Sequence, residues 1–341
     1  MKRKIANAVL LTLCVLGLAV LTGALPVTAW PGPALPVYIE TAGRESPPAE
    51  TPFLPQAADR EDLSAPEEAA PSPSPAPPSE QIPAPEVSPA EPHVRLIPTT
   101  ITGPDLLDNN TAYDIDTREL LEEDLSLALP PEGYQVLILH THTTEAYTTD
   151  GGGSDGAYRT TDPEFSVVRV GEELADVLTG YGLHVLHDTC LYDYPSYSGS
   201  YTRSGSAVEE HLAAWPGIRV VIDLHRDALG DEQNVYKTLA DIEGEEAAQL
   251  MFVMGSDVNL EHPQWRENLK LALRLQSRIQ ERYPTLMRPT LLCDYRYNQQ
   301  LAPGSLLLEV GTTGNTLEEA LAAVRLFGEV AGPFLAGCIA E

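Results

Sequence analysis

The chain has 341 residues, and its 50 acidic side chains outnumber 21 lysines and arginines to give a formal net charge of −29. Because phosphate binding requires a cationic surface, this charge argues against nucleic acid and against an anionic membrane surface as partners. The four cysteines are widely separated and form no Cys-x-x-Cys pair. The sequence therefore supports neither a disulfide framework nor a thiolate zinc site.

The amino-terminal region predicts export from the cytoplasm. Three basic residues at positions 2–4 precede an almost uncharged apolar stretch that ends at about residue 27. About twenty apolar residues can span a membrane, and basic residues favour the cytoplasmic side. We therefore expect residues 1–29 to form a single-pass anchor in the cell membrane, with the catalytic domain outside the cytoplasm. A signal peptide cleaved near Ala29 is the alternative.

The composition divides the rest of the chain into three parts. Proline, alanine, glutamate and serine dominate residues 30–98, which predicts a disordered, semi-extended linker. Residues 99–131 carry leucines among acidic residues and are predicted to be a transitional segment with one or two short helices. Residues 132–341 have the pattern of a single domain.

Apolar runs typical of strands alternate with amphipathic runs typical of helices in this domain. The predicted strands are 135–140, 184–187, 218–225, 250–255 and 305–310, and the predicted helices are 165–179, 207–215, 263–282 and 317–335. This order predicts an α/β fold with a mostly parallel sheet flanked by helices. Segments 236–241 and 250–255 are also candidates for an antiparallel hairpin. Thr316 and Glu319 have the spacing of a capping box.

The first predicted strand ends in potential metal ligands. The apolar run 136–139 is followed by His140 and His142, and then by Glu145. Imidazole and carboxylate groups are ligands for first-row divalent ions, and open α/β sheets place their chemistry at the carboxyl ends of strands. In an extended strand both histidines would face one side, so both are candidate ligands. Two solvated histidines on a surface loop are the alternative interpretation.

Two later predicted strands end in a similar way. His225 ends one of them, and either Asp223 or Asp227 could accept a hydrogen bond from its second ring nitrogen. Glu309 lies in the last predicted strand, where burial would raise its pKa toward the range useful for a general base. The alternatives are an incidental histidine and an exposed glutamate at strand ends.

Together these residues predict an imidazole–carboxylate–imidazole site for one divalent cation, with Glu309 uncoordinated. A Zn2+ ion with three protein ligands binds a water molecule and lowers its pKa to about 7. Glu309 would accept the proton of that water and pass it to a departing amine, which predicts amide hydrolysis. Metal-dependent barrel hydrolases also begin with His-x-His, but they need further histidines, and only His262 follows His225.

Two further stretches give weaker signals. Arg159, Thr160 and Thr161 could contact anionic substrate groups, although Asp162 is more typical of a helix N-cap. Four tyrosines crowd a polar loop, and such loops often stack on sugars or peptides, but the pattern is not specific: Tyr192, Tyr194, Tyr197 and Tyr201.

Several of these segments resemble the stage II sporulation protein P family of endospore-forming bacteria. The resemblance covers roughly residues 132–341, together with the anchor and linker. It is carried by His-Thr-His-Thr-Thr-Glu at 140–145, Asp-Leu-His-Arg-Asp at 223–227, Tyr-Asn-Gln at 297–299, Pro-Gly at 303–304, Leu-Glu-Val-Gly at 308–311 and Asn-Thr-Leu-Glu-Glu at 315–319. It implies a catalytic fold similar to the zinc-dependent N-acetylmuramoyl-L-alanine amidases.

The resemblance also implies a peptidoglycan hydrolase that removes stem peptides, cleaves cross-links and acts in forespore engulfment with stage II sporulation proteins D and M. It implies that the metal ligands are Glu145, His225 and one of His140 or His142, and that Glu309 is the catalytic glutamate. The interval between the first histidine and Glu145 is shorter here than in the wider amidase family. The alternatives are a non-catalytic wall-binding or scaffold protein, and a metallo-carboxypeptidase or deacetylase acting on wall polymers.

Overall fold

The computed structural model describes residues 95–103, 105–148, 158–231 and 234–340. The predicted membrane anchor and all but the last residues of the predicted linker lie outside this part of the chain. Within the part that is described, no helix combines the length and the apolar character needed to cross a membrane.

The described residues form ten strands and five α-helices. The strands are β1 (Arg95–Thr99), β2 (Leu107–Asn109), β3 (Val136–Leu139), β4 (Val185–His187), β5 (Val220–Asp227), β6 (Asn234–Ile242), β7 (Glu245–Ala248), β8 (Leu250–Gly255), β9 (Thr290–Cys293) and β10 (Ser305–Thr312). The helices are α1 (Thr117–Glu122), α2 (Val167–Gly180), α3 (Ser200–Ala214), α4 (Trp265–Arg282) and α5 (Leu317–Ala336).

Seven strands form the main sheet in the order β2-β9-β8-β10-β5-β3-β4. Five of its six neighbouring pairs are parallel, and only β8 and β10 are antiparallel. The sheet is therefore mixed: one group of parallel strands, β2-β9-β8, joins a second, β10-β5-β3-β4, at the antiparallel pair of β8 and β10. Helices flank this sheet, so the predicted α/β class is confirmed.

The two faces of the main sheet are covered unequally. On β3, Val136 and Ile138 belong to the larger core, which also receives the buried faces of α2, α4 and α5. Leu137 and Leu139 point to the opposite face, where they pack with Val208 of α3 in a smaller cluster. The larger core stabilises the fold, and the thinner cover on the second face leaves room for a site at the strand ends.

A second, three-stranded sheet has the order β1-β6-β7. Strand β6 forms its hairpin with β7, and the expected pairing of 236–241 with 250–255 is wrong, because β8 instead pairs with β10 in the main sheet. The hairpin has a two-residue turn in which Glu243 (φ 58°) and Gly244 (φ 90°) both adopt left-handed conformations. Such a turn matches the twist of the strands that it joins.

Several element boundaries differ from the expected ones. Asp162 caps a single 3-10 turn, Pro163–Phe165, and the α-helix that follows has its own N-cap at Ser166. Helix α3 begins after Gly199, whose φ of 78° favours glycine, and so starts earlier than expected. The predicted capping box of Thr316 and Glu319 is confirmed at the start of α5.

The segment before the predicted domain is also ordered within the described residues. Strand β1, at the end of the predicted linker, pairs with β6, and β2 adds an edge to the main sheet. Helix α1 is the one short helix of this segment, and its N-cap is Asp116.

Candidate active site

Three predicted site residues lie together at the carboxyl ends of the central strands. His225 on β5 is the register partner of Glu309 on the adjacent parallel strand β10. Residues two or four apart on a strand point to the same face, so His225 shares its face with Val221 and Glu309 shares its face with Leu307. Both side chains therefore lie on the thinly covered face. Glu145 follows β3, and its Oε2 atom lies 3.4 Å from Nδ1 of His225.

Glu145 is a buried carboxylate held among cationic groups. Its Oε2 atom accepts a hydrogen bond from the backbone N–H of Arg226 at 3.2 Å. Its Oε1 atom lies 3.7 Å from Nη2 of Arg159 and 3.8 Å from Nη1 of Arg226. Burial alone would raise the pKa of Glu145, but Arg226 and His225 outweigh it, and the pKa falls below its ordinary value. Glu145 is therefore ionised at neutral pH, as a metal ligand must be.

His225 lies between two carboxylates. Its Nε2 atom is 2.9 Å from Oδ1 of Asp223, but the contact lacks hydrogen-bond geometry, so this buried nitrogen has no hydrogen-bond partner. Burial lowers the pKa of His225, but Asp223 and Glu145 raise it well above its ordinary value. Asp223 is fixed in turn by the backbone N–H and the hydroxyl of Thr141, at 2.8 and 2.7 Å. The pocket therefore favours positive charge at the position of His225.

His142 is adjacent to His225, with 5.2 Å between their ring centroids. Its ring stacks on Tyr197, and its Nε2 atom lies 2.9 Å from the Tyr197 hydroxyl. Its Nδ1 atom is 3.4 Å from the hydroxyl oxygen of Ser200. Burial lowers the pKa of His142 to about 4, which keeps the ring neutral.

His140 has a different environment from His142. Its Nδ1 atom is 2.9 Å from the carbonyl oxygen of Leu224, and its Nε2 atom is 2.9 Å from Nε2 of His187. The two histidines do not face the same side of one extended strand, as was expected, because β3 ends at Leu139 and the chain then turns. The His140 ring packs against His187, whereas the His142 ring packs against His225, so His142 is the early histidine beside His225.

Glu309 is the carboxyl group best suited to exchange protons. Its Oε2 atom is buried and has no hydrogen-bond partner. Burial and the nearby carboxylate of Asp227 raise the pKa of Glu309 to about 8. Asp227 is itself paired with Arg288, whose Nη2 atom donates to Oδ2 at 2.7 Å.

The imidazole and carboxylate groups of His142, Glu145 and His225 are of the types that bind zinc. Two donors bound about 2.1 Å from one ion at a tetrahedral angle are about 3.4 Å apart, which is the observed separation of Glu145 Oε2 and His225 Nδ1 at 3.4 Å. Among the described residues, however, no group of three or more His, Cys, Asp or Glu side chains is arranged to hold an ion. The nitrogens of His142 contact Tyr197 and Ser200 instead.

Sequence reasoning assigned no specific role to several residues that shape the site. Arg226 is buried beside Glu145, and the feature of the sequence that pointed to it is its position directly after His225. Tyr201 lies parallel to the His225 ring at 6.5 Å and next to Tyr297 at 5.6 Å. Only the crowding of tyrosines in the loop pointed to Tyr201.

Comparison with known proteins identifies the family. The model of the family "Stage II sporulation protein P (SpoIIP)" matches residues 77–332. Stage II sporulation protein P of Bacillus subtilis (strain 168) is 29% identical over 210 residues, which are 57% of this chain and 50% of the relative. The alignment thus spans about half the length of that curated relative.

Distant similarity extends to two solved structures. The CwlD amidase from Clostridioides difficile, solved in complex with the GerS lipoprotein, is 12% identical, with a TM-score of 0.38 over 60% of this chain and 98% of that one. The catalytic domain of CwlV, an N-acetylmuramoyl-L-alanine amidase from Bacillus (Paenibacillus) polymyxa var. colistinus, is 11% identical, with a TM-score of 0.34 over 58% of this chain and 97% of that one. Because the family match covers most of the sequence, the chain belongs to the stage II sporulation protein P family.

Proposed function

We propose that this protein is a peptidoglycan hydrolase of sporulation that releases stem peptides from glycan strands, as an N-acetylmuramoyl-L-alanine amidase. The observation that carries the proposal is the meeting of Glu145, His225 and Glu309 at one sheet edge. A buried carboxyl group with a raised pKa beside an ionised carboxylate and two imidazoles is a typical arrangement for hydrolysis. Family membership supports the same conclusion.

We further propose that the enzyme uses zinc, held by His142, Glu145 and His225. When bound, such an ion would polarise the scissile carbonyl group and lower the pKa of a water molecule to about 7. The 3.4 Å separation between His225 Nδ1 and Glu145 Oε2 supports this assignment, and Asp223 lies 2.9 Å from the other ring nitrogen, where it would orient the ring. His142 would have to exchange its contact with Tyr197 for the ion.

In this proposal Glu309 moves the proton. Added positive charge in the site lowers the pKa of the Glu309 carboxyl from about 8, so that it becomes a base near neutral pH. Glu309 then accepts the proton of the attacking water. When the carbon–nitrogen bond breaks, Glu309 returns that proton to the amine nitrogen of the leaving peptide.

Other features of the proposal follow from the family alone. They are cleavage of peptide cross-links and action with stage II sporulation proteins D and M. Membrane attachment through residues 1–29, with the catalytic domain outside the cytoplasm, is proposed from the basic residues and the apolar run at the start of the sequence.

The test compares the full-length chain with its Glu309→Gln variant on purified peptidoglycan. Stem peptides released with a free amino terminus are identified by mass spectrometry, and bound metal is measured separately. Glu318→Gln is the matched control, because Glu318 is exposed near the start of α5 and lies outside the site. We expect release to fall by a factor of about 100 or more for Glu309→Gln alone. Equal release by wild type and Glu309→Gln would exclude Glu309 as the base, and no release by wild type would favour a wall-binding role.

A further inference from the structure

A cleft of about 540 Å3 opens beside the candidate active site. Thr144 and Arg159 line this cleft and also border Glu145, from which the Arg159 Nη2 atom is 3.7 Å away. The loop that contains Tyr194 and Pro195 also lines the cleft. A molecule bound in the cleft would therefore extend to the reacting groups.

The charges that line the cleft are already paired. Arg159 donates from Nη1 to Oδ2 of Asp193 at 2.6 Å, and its other terminal nitrogen faces Glu145. Asp193 also accepts hydrogen bonds from the backbone N–H and the hydroxyl of Thr144, at 3.0 and 2.7 Å. Arg159 is the single cationic side chain among the described lining residues. The cleft therefore favours an uncharged ligand over an acidic peptide.

Two exposed ring side chains line the cleft. Tyr194 is 56% exposed, and Pro195 beside it is also exposed. Thr160 and Thr161 line the same cleft and supply hydroxyl groups. Flat rings with nearby hydroxyl groups suit a pyranose, whose C–H face is apolar and whose rim forms hydrogen bonds.

One arginine holds the Tyr194 loop in shape. Arg203 donates from Nε to the carbonyl oxygen of Tyr192 at 2.6 Å, from Nη1 to that of Ser198 at 3.0 Å and from Nη2 to that of Ser196 at 2.5 Å. A loop fixed at three carbonyl groups loses little further entropy when a ligand binds. The cleft is therefore preorganised before its ligand arrives.

We propose that this cleft binds the glycan strand of the substrate, as β-1,4-linked N-acetylhexosamine units stacked on Tyr194. The proposal rests on the proposed function and adds the part of the substrate that the cleft holds. The lactyl carboxyl group of the substrate sugar is consumed in the amide bond to the peptide, so the strand at this position is uncharged. The stem peptide then lies on the far side of Glu145, His225 and Glu309.

The test measures binding without turnover. Saturation-transfer NMR on the full-length chain, with chelator present, follows titration with a β-1,4-linked N-acetylglucosamine tetramer and, separately, with a tripeptide that carries two free carboxylates. Tyr194→Ala removes the ring, Tyr194→Phe keeps it, and Tyr236→Ala removes an exposed ring from β6 as a control. We expect Tyr194→Ala to weaken tetramer binding about tenfold, and the other two variants to bind within about twofold of wild type.

The proposal is overturned if the tetramer shows no saturable binding up to about 10 mM, or if Tyr194→Ala binds it as wild type does. It is also overturned if the tripeptide alone binds and Tyr194→Ala abolishes that binding. These results are independent of hydrolysis. A chain that binds the tetramer but releases no stem peptide would keep the cleft assignment and remove the enzymatic one.

Discussion

The hydroxyl group of Tyr197 lies 2.9 Å from Nε2 of His142, which is one of the three proposed zinc ligands. The hydroxyl group therefore occupies a nitrogen through which His142 could bind the ion. The same tyrosine ring contacts both the His142 ring, at 4.5 Å between centroids, and the guanidinium of Arg159, at 4.7 Å from the Tyr197 centroid. Metal binding by His142 is therefore coupled to the position of Tyr197.

Removing the hydroxyl group should favour the metal. We expect Tyr197→Phe to bind Zn2+ about fivefold more tightly, because a hydrogen bond worth about 1 kcal/mol no longer competes for His142. Competition with a chromophoric chelator measures the affinity, and Tyr194→Phe is the neighbouring control. Weaker binding by Tyr197→Phe would show that the hydroxyl group orients His142 for the metal instead.

The two early histidines should separate in function. We expect His142→Ala to lower zinc affinity by about 100-fold or more, at least the loss that an outer-shell partner causes. His140→Ala should retain most of the affinity but lower the free energy of unfolding by about 2 kcal/mol, because it leaves buried partners at Leu224 and His187 unsatisfied. Metal content and urea unfolding distinguish the two variants, and the reverse pattern would make His140 the ligand.

The raised pKa of Glu309 should appear in the pH dependence of stability. The pKa of this carboxyl is about 8 in the fold and about 4.3 in the unfolded chain. Between these values the folded state binds more protons, so its stability falls as pH rises. Relative to metal-free wild type, Glu309→Gln should gain stability from about pH 5 to about pH 8. Urea unfolding with chelator tests this, and parallel curves for the two proteins would contradict it.

The buried ion pair behind Glu309 should matter far more than a surface pair. Asp227 and Arg288 are both 2% exposed and are joined at 2.7 Å. We expect Arg288→Met to cost about 3 kcal/mol of unfolding free energy, because an unpaired buried carboxylate is left behind. Arg282→Met, which breaks an exposed pair with Glu329, should cost about 0.5 kcal/mol. Similar losses for both variants, measured by urea denaturation, would refute this difference.

The central strands and their polar ends were predictable from local patterns. Glu309 interrupts an apolar run and His225 lies at the polar end of another, and parallel strands bring such positions to one edge. The long helices followed from amphipathic spacing, and the capping box at Thr316 and Glu319 from its own three-residue signature.

The remaining features depend on contacts between distant segments. Arg95 pairs with Asn234 in the second sheet, although the preceding composition is that of a linker. Arg159 contacts Asp193, and Tyr197 contacts His142, through side-chain contacts that no local spacing encodes. The separation of His140 from His142 depends on where β3 ends, and strand ends are the least predictable boundaries.

The antiparallel junction between β8 and β10 gives the two halves of the site different mechanical support. Glu309 on β10 and His225 on β5 lie on strands that are each hydrogen-bonded to a strand on both sides. Glu145 and His142 are carried by turns beyond the end of β3. We therefore expect a change between the metal-free and metal-bound geometries to occur in the turns that carry Glu145 and His142, while Glu309 keeps its position.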